Sequence, residues 1–336
     1  MILWLQFIAL TGVIVFTGAN LSKYGDVIAE KTGMGRTWVG LVLMASVTSL
    51  PELITGISSV AVFDLPSIAI GDVFGSCMFN LLILAGLDAL SGSIPISARV
   101  HQGHVLTGGF GLLLLGIAAI AVTAGGHIPA IGWIGAETIV FFAVYAIAMR
   151  TLFIFEKKRI AAFRHHVTED LRYGSISLRR AYVSYAWNAA LVVGAATYLP
   201  YIGDQIAQAT GLGRIFVGSI FVAVTTSLPE LVVSITALRL GSADLVFGNL
   251  LGSNLFNIAI LAADDVFFFK APLLTTAAPG HIVTVNAAIA MTAIALIGLT
   301  YQAGKNAFSL PGIRSPLSPL FVRRFDRLHD EIRRET

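Results

Sequence analysis

Two glutamates, Glu52 and Glu230, stand in two copies of one hexapeptide, Thr48-Ser49-Leu50-Pro51-Glu52-Leu53 and Thr226-Ser227-Leu228-Pro229-Glu230-Leu231. Each copy lies inside a long apolar run, where an ionised side chain costs several kcal/mol unless protein, water or an ion solvates it. On a helix Thr48 and Glu52 are four apart and Ser49 and Glu52 three apart, so hydroxyls and carboxylate share a face. In the next apolar run Ser76 and Asn80 are again four apart, and the second copy repeats the arrangement with Ser253 and Asn257. Pooled, these residues bring two carboxylates, two amide carbonyls and six hydroxyls, with no nitrogen or sulfur cluster. Hard oxygen shells suit Ca²⁺, which takes six to eight ligands at about 2.3–2.6 Å, rather than zinc or copper.

Charge balance narrows the chemistry. Two carboxylates neutralise one divalent cation, and once it leaves they require sodium ions or protons in its place. Competition for the same acids is the simplest physical basis for exchange. Asn80 and Asn257 can bind Na⁺ or water but carry no proton, so proton coupling would rest mainly on Glu52 and Glu230. Each proline removes a backbone N–H and clashes with the preceding turn, so each helix is expected to break there. The breaks should free backbone carbonyls about a turn earlier, around Ala45 and Ala223, to join the ion shell.

The elements that carry these groups are membrane spans. The chain has 336 residues, 56% hydrophobic and 12% charged, with a mean hydropathy of +0.82. That is too apolar for a soluble domain of this size and indicates a polytopic membrane protein. Runs long enough to cross about 30 Å of hydrocarbon, roughly 20 helical residues, fall near 2–20, 37–62, 67–90, 103–123, 129–154, 181–201, 214–238, 243–268 and 280–301. The opening run lacks the basic start of a secretory signal and reads as an uncleaved first span. A single cysteine, Cys77, cannot form an internal disulfide. Nothing between the apolar runs resembles a nucleic-acid motif, and the net charge of +3 does not imply such a partner.

With nine spans and the N-terminus outside, 20 of the 22 Lys and Arg residues lie on the inner side, and only Arg214 and Lys270 lie outside. The positive-inside rule favours that orientation. The basic segment 156–180 and the basic, proline-broken tail 302–336 then form cytoplasmic surface with some attraction for anionic lipid.

The hexapeptides belong to a longer repeat. Gly25-Asp26 recurs as Gly203-Asp204, Thr32-Gly33 as Thr210-Gly211, Gly35-Arg36 as Gly213-Arg214 and Val39-Gly40 as Val217-Gly218, all at a shift of 178. Gly75-Ser76-Cys77-Met78-Phe79-Asn80 recurs as Gly252-Ser253-Asn254-Leu255-Phe256-Asn257 at a shift of 177, and Asp88 and His104 align with Asp265 and His281. The shift displaces the pattern by five spans, an odd number, so the copies enter the membrane from opposite faces. Inverted repeats of this kind place a substrate site at their interface near the bilayer midplane and permit alternating access.

The duplicated T-S-L-P-E-L, each followed by G-N/D-x-x-G-S-N/C-x-F-N, resembles the two alpha repeats of the calcium/cation antiporter superfamily, in particular prokaryotic sodium/calcium exchanger-like proteins. The resemblance covers about residues 1–300. It implies an all-α polytopic membrane protein of two inverted repeats of about five helices, residues 1–155 and 181–301, that exchanges Ca²⁺ for Na⁺, or for H⁺ in some branches. By motif position, Thr48, Ser49, Glu52, Ser76 and Asn80 are ligands from one half, and Thr226, Ser227, Glu230, Ser253 and Asn257 from the other. The chain departs from the family pattern in four ways. Asp72, whose repeat mate is Asn249, and Cys77, whose mate is Asn254, stand where Asn is usual; Asn80 and Asn257 are amides where some members have Asp; and no tenth span follows Tyr301. Asp72 could add an accessory charge near the site.

Other residues carry plainer expectations. His104 and His281 read as interfacial histidines, and Asp88 and Asp265, near span ends, as water-facing. Gly71, Gly75, Gly248 and Gly252 read as positions of close helix approach. No nucleophile and base pair, P-loop or zinc-ligand cluster suggests an enzyme, and no resident cofactor is implied. The alternative of another class is a cation-binding scaffold or sensor that moves no ion.

Overall fold

A computed structural model describes residues 1–32, 47–91, 95–163 and 176–301. The main helices are α1 (Ile2–Thr32), α2 (Leu50–Ala61), α3 (Pro66–Leu90), α4 (Gly103–Ala124), α5 (Ala136–Phe163) and α6 (Leu178–Thr210). They are followed by α7 (Arg214–Thr226), α8 (Leu228–Arg239), α9 (Ala243–Phe267) and α10 (Gly280–Tyr301). A short antiparallel pair, β1 (Ala130–Ile131) and β2 (Ile134–Gly135), precedes α5.

Hydropathy located most spans closely but not their ends. Helices α1 and α6 run well past the expected 2–20 and 181–201, because an apolar window registers where a helix leaves lipid and not where its hydrogen bonds stop. The real end of α6 is Gly211, which sits at φ +73° with its N–H on the Ala207 carbonyl at 3.0 Å, a left-handed cap that a glycine adopts without strain. The fifth span begins at Ala136 and not at 129, since 130–135 fold into the β1–β2 hairpin with Gly132 at φ +67°. Among the described residues six helices are long and apolar enough to cross a membrane, or seven when α7 and α8 are taken as one bent span. Of the nine expected spans, the second is described only from Val47, and α6 is long enough but diluted by polar residues such as Asn188 and Asp204.

Burial separates centre from periphery. In the most apolar stretch of each helix, 78% of α3 and 83% of α9 is buried, against 22% of α1, α5 and α10. Exposed apolar side chains on the outer helices, among them Leu5, Ile8, Ile147, Trp187, Ile294 and Ile297, form a lipid-facing surface. The repeats interlock across the centre. Helix α3 lies against α9, α1 runs along its mate α6, α4 packs on α9 as α10 packs on α3, and α2 packs on α6 as α8 packs on α1. One apolar core therefore draws on both copies, from Val60, Phe74 and Leu115 to Leu255, Ile258 and Val285.

The helix ends are tied by polar contacts. Lys270 Nζ meets Asp64 Oδ2 at 2.6 Å, placing the α2–α3 turn and the chain after α9 on one face. Asp265 does not face water as expected. It is buried, and its carboxylate accepts hydrogen bonds from the Gly135 N–H at 2.9 Å, the Thr138 hydroxyl at 2.6 Å and the Leu273 N–H. Two of these donors lie 130 and 127 residues earlier in the chain, which hides them from the sequence, and the acid ties the β2–α5 junction to the segment after α9. Its mate Asp88 is half-buried and holds the Ser97 N–H and hydroxyl.

Candidate cation site

The two hexapeptides fold alike. Ser49 caps α2 at φ −86°, ψ 14°, and Ser227 caps α8 at φ −91°, ψ 5°, both in the bridge region just before Leu-Pro-Glu. Each serine carbonyl still opens the new helix, accepting from Leu53 N at 3.1 Å and Leu231 N at 3.3 Å. The break before Pro229 bends α7 against α8 by 42°, as the proline predicts. Upstream, Val217–Val222 winds as a π-helix, a feature frequent at functional sites and not foreseen from the sequence.

Helix α3 reaches this segment through glycine. A Cβ on Gly71 would lie 3.1 Å from the Ser219 nitrogen, and one on Gly75 would overlap the Ser219 carbonyl and sit 2.7 Å from the Ala223 Cβ. This close approach brings Asp72 and Ser76 onto Thr226. The Thr226 hydroxyl donates to Asp72 Oδ1 at 2.9 Å and lies 3.4 Å from Ser76 Oγ.

At the centre the copies cross. Ser49 Oγ donates to Glu230 Oε1 at 3.1 Å, and Ser227 Oγ donates to Glu52 Oε1 at 2.9 Å. Each glutamate is thus held by the serine of the other repeat, although the serine of its own motif is three residues away. Glu230 Oε1 also accepts from Ser253 at 3.3 Å, and the Thr48 side chain bonds Glu230 as well. Asn80 Nδ2 donates to Asn254 Oδ1 at 3.0 Å, and Asn254 Nδ2 to the Cys77 carbonyl at 3.1 Å. Asn249, the mate of Asp72, donates to the Glu230 carbonyl at 3.2 Å. Asn254 and Asn249 were visible in the sequence only as mates of Cys77 and Asp72; here they brace the site.

All ten predicted side chains, and Asp72, are fully buried. Among them Glu52 Oε2, Glu230 Oε2, Asn80 Oδ1, Asn257 Oδ1 and Asp72 Oδ2 have no hydrogen-bond partner among the described residues. Leaving buried polar oxygens unmatched costs about 1–3 kcal/mol each, and more when charged. The unmatched atoms are all acceptors; those of Glu52 and Glu230, and of Asn80 and Asn257, are repeat-related pairs, and Asn249 Oδ1, on the mate of Asp72, is unmatched too. Such a set of acceptors suits a positively charged or hydrogen-bond-donating guest. Among the described residues no three of His, Cys, Asp and Glu gather as a metal cluster, and the donors beside the two glutamates are mostly hydroxyl and amide oxygens.

One expected ligand is placed differently. The Ala223 carbonyl is not free, since it accepts from Ser227 N at 3.1 Å and Thr226 Oγ1 at 3.2 Å. A proline strips the donor from the carbonyl four residues earlier, which for Pro229 is Thr225, two positions beyond Ala223. Ala45 lies outside the described residues. His104 bonds Asp244 Oδ1 at 3.0 Å, while His281 is buried with neither ring nitrogen matched among the described residues.

A family model described as sodium/calcium exchanger protein matches residues 2–154 and 181–310. The chain belongs to that family. Two relatives match over most of their length at low identity. The sodium/calcium exchanger MaX1 of Methanosarcina acetivorans is 25% identical over 303 residues, covering 82% of this chain and 85% of that protein. The inner membrane protein YrbG of Escherichia coli is 24% identical over 259 residues, covering 74% of each. The fold matches a structure of the sodium-calcium exchanger NCX_Mj soaked with Na⁺ and Sr²⁺, with a TM-score of 0.59 at 22% identity over 90% of this chain and 91% of that one. The exchanger family accounts for the helical membrane architecture and makes the chain an exchanger-type cation antiporter.

Proposed function

We propose that this exchanger-family protein moves Ca²⁺ in one direction against Na⁺ in the other, at a site shared by the two repeats. Thr48, Ser49, Glu52, Ser76 and Asn80 face Thr226, Ser227, Glu230, Ser253 and Asn257 there, with Asp72 as an accessory acid. The observation that carries the reading is the crossed pair of serine–glutamate bonds, which leaves one oxygen of each buried glutamate unmatched. Two carboxylates balance one Ca²⁺, and the amide and hydroxyl oxygens fill a shell of the size that ion takes. When Ca²⁺ departs, Na⁺ ions take the same oxygens, so the empty carrier is never left with two bare charges in the bilayer.

The repeats, residues 1–155 and 181–301, act as the two halves of an alternating-access carrier. Each glutamate is gripped by the opposite half, so a shift of one half against the other opens one serine–glutamate contact or the other. The charge bias supports an outside N-terminus, with the basic segments 156–180 and 302–336 on the cytoplasmic side. The test is uptake of radiolabelled Ca²⁺ into proteoliposomes loaded with Na⁺. Uptake that needs the Na⁺ gradient and vanishes in Glu52→Gln and Glu230→Gln supports the reading. Uptake driven by a pH gradient with Na⁺ absent would replace Na⁺ by H⁺, and Ca²⁺ binding without flux would leave a sensor in place of a carrier.

A further inference from the structure

Asp264 is a buried acid that the exchange site does not use. It lies on α9 seven residues beyond Asn257, two turns and about 10 Å along the axis, toward the face that carries the Lys270–Asp64 pair. It is fully buried, and neither carboxylate oxygen has a hydrogen-bond partner among the described residues. The carboxyl group rests on Gly56 of α2, one turn beyond Glu52. A Cβ at Gly56 would overlap its Cγ and both oxygens. The acid therefore fills the α2–α9 seam that leads from the glutamate centre to that face.

The fold does not require an acid here. The repeat mate of Asp264 is Leu87, and the mate of Gly56 is Ser234, whose hydroxyl accepts from Asn249 Nδ2 at 3.1 Å. One copy builds the position from leucine and serine, the other from aspartate and glycine. Nearby hydroxyls are directed elsewhere: Thr55 donates to the Ala196 carbonyl at 3.3 Å, and Ser58 and Ser59 donate to the Thr55 carbonyl at 3.1 and 2.7 Å.

The titratable groups on the helices packed against α9 are Glu52 on α2, Asp72 and Cys77 on α3, Glu137 and Tyr145 on α5 and Glu230 on α8, with Asp265 beside it on α9 itself. None of them is a base. His104 of α4, Asp88 of α3, Arg150 of α5, Arg239 of α8 and Asp244 of α9 belong to the opposite ends of their helices. A carboxylate so enclosed is accommodated only with a cation beside it or a proton on it. A cation needs several more oxygens than this seam supplies, and a proton needs none.

We propose that Asp264 is a proton site on the pathway, binding H⁺ while the α2–α9 seam is closed and releasing it when the seam opens. The carboxyl O–H bond breaks to a water admitted by the opening, and forms again from hydronium as water leaves. This rests on the antiport reading only for the motion of the seam. The experiment uses the full chain in liposomes, comparing wild type, Asp264→Asn and Gly56→Ala. Infrared difference spectra between the Ca²⁺-bound and Na⁺-bound states should show a protonated-carboxyl band in wild type that shifts in D₂O, disappears in Asp264→Asn and moves in Gly56→Ala. A pH-sensitive dye should record one proton fewer per Ca²⁺ bound in Asp264→Asn, while calorimetry finds Ca²⁺ affinity within about threefold of wild type. An identical carboxyl band and proton count in wild type and Asp264→Asn would overturn the proposal. Retained Ca²⁺ binding in Glu52→Gln would instead overturn the glutamate site, leaving the Asp264 spectra to be judged separately.

Discussion

Replacing Glu230 by glutamine isolates the charge on which the exchange site depends. The amide keeps the size of the side chain, and its Oε1 can still accept from Ser49 and Ser253, now at 3.1 and 3.3 Å. What is lost is one negative charge at a position with no exposure to water. Removing one partner of a buried charge pair costs about 3–5 kcal/mol, because the remaining charge is stranded. With Ca²⁺ bound, Glu52 alone would leave one net positive charge in the span, and midplane charges cost at least about 2.5–3.5 kcal/mol. At 1.4 kcal/mol per decade, Ca²⁺ affinity should fall by about a hundredfold to several thousandfold. Calorimetry measures the loss directly. A thermal melt gives a second view: saturating Ca²⁺ at about 100 times its Kd should stabilise the wild type by about 2.7 kcal/mol, and the same concentration should stabilise Glu230→Gln by no more than about 0.4 kcal/mol. The apo variant should melt no lower than apo wild type, since it buries one ionisable group fewer. A Ca²⁺ affinity within threefold of wild type would refute the pairing of the two glutamates around one ion.

The remaining predictions concern the frame of the site. Ser49→Ala and Ser227→Ala each delete one crossed bond to a carboxylate, worth about 1.5–3 kcal/mol, and should weaken Ca²⁺ binding roughly equally, by about tenfold or more; clearly unequal effects would show that the two contacts are not equivalent. Gly75→Ala pushes a methyl onto the Ser219 carbonyl of the π-helix and should cost about 1–3 kcal/mol in a detergent melt. Gly86→Ala on the same helix meets nothing within 4 Å and should cost nothing. Asp265→Asn removes a buried carboxylate that accepts from three donors at the β2–α5 junction and the segment after α9, and should lower the melting temperature while leaving ion selectivity unchanged, as uptake competition assays would show.

Much of the candidate site is legible in the sequence, because its signals are local or repeated. Pro51 and Pro229 marked the helix breaks, hydroxyl-to-glutamate spacings of three and four marked a shared face, and the repeat shift of 178 followed by 177 marked the second half. The chemistry of hard oxygen donors follows from residue types alone. Less readable were features whose partners are far away in the chain. Asp265 looked like a span-end acid facing water, yet its donors come from Gly135, Thr138 and Leu273. The Ala223 carbonyl was placed by counting back a turn, and the Ser227 N–H and Thr226 hydroxyl occupy it. Asp264 drew no notice because its meaning depends on facing Gly56 across a helix contact.

Periodicity, hydropathy and internal duplication thus dictated a membrane bundle of inverted halves with a glutamate in each, since those properties act over a few residues or repeat along the chain. They were silent on which half supplies the serine that grips each glutamate. The crossing of Ser49 to Glu230 and Ser227 to Glu52 spans 181 and 175 residues. It exists because glycines on α3 let that helix sink against the π-helix and draw the two broken segments together, an outcome of packing that no local pattern encodes.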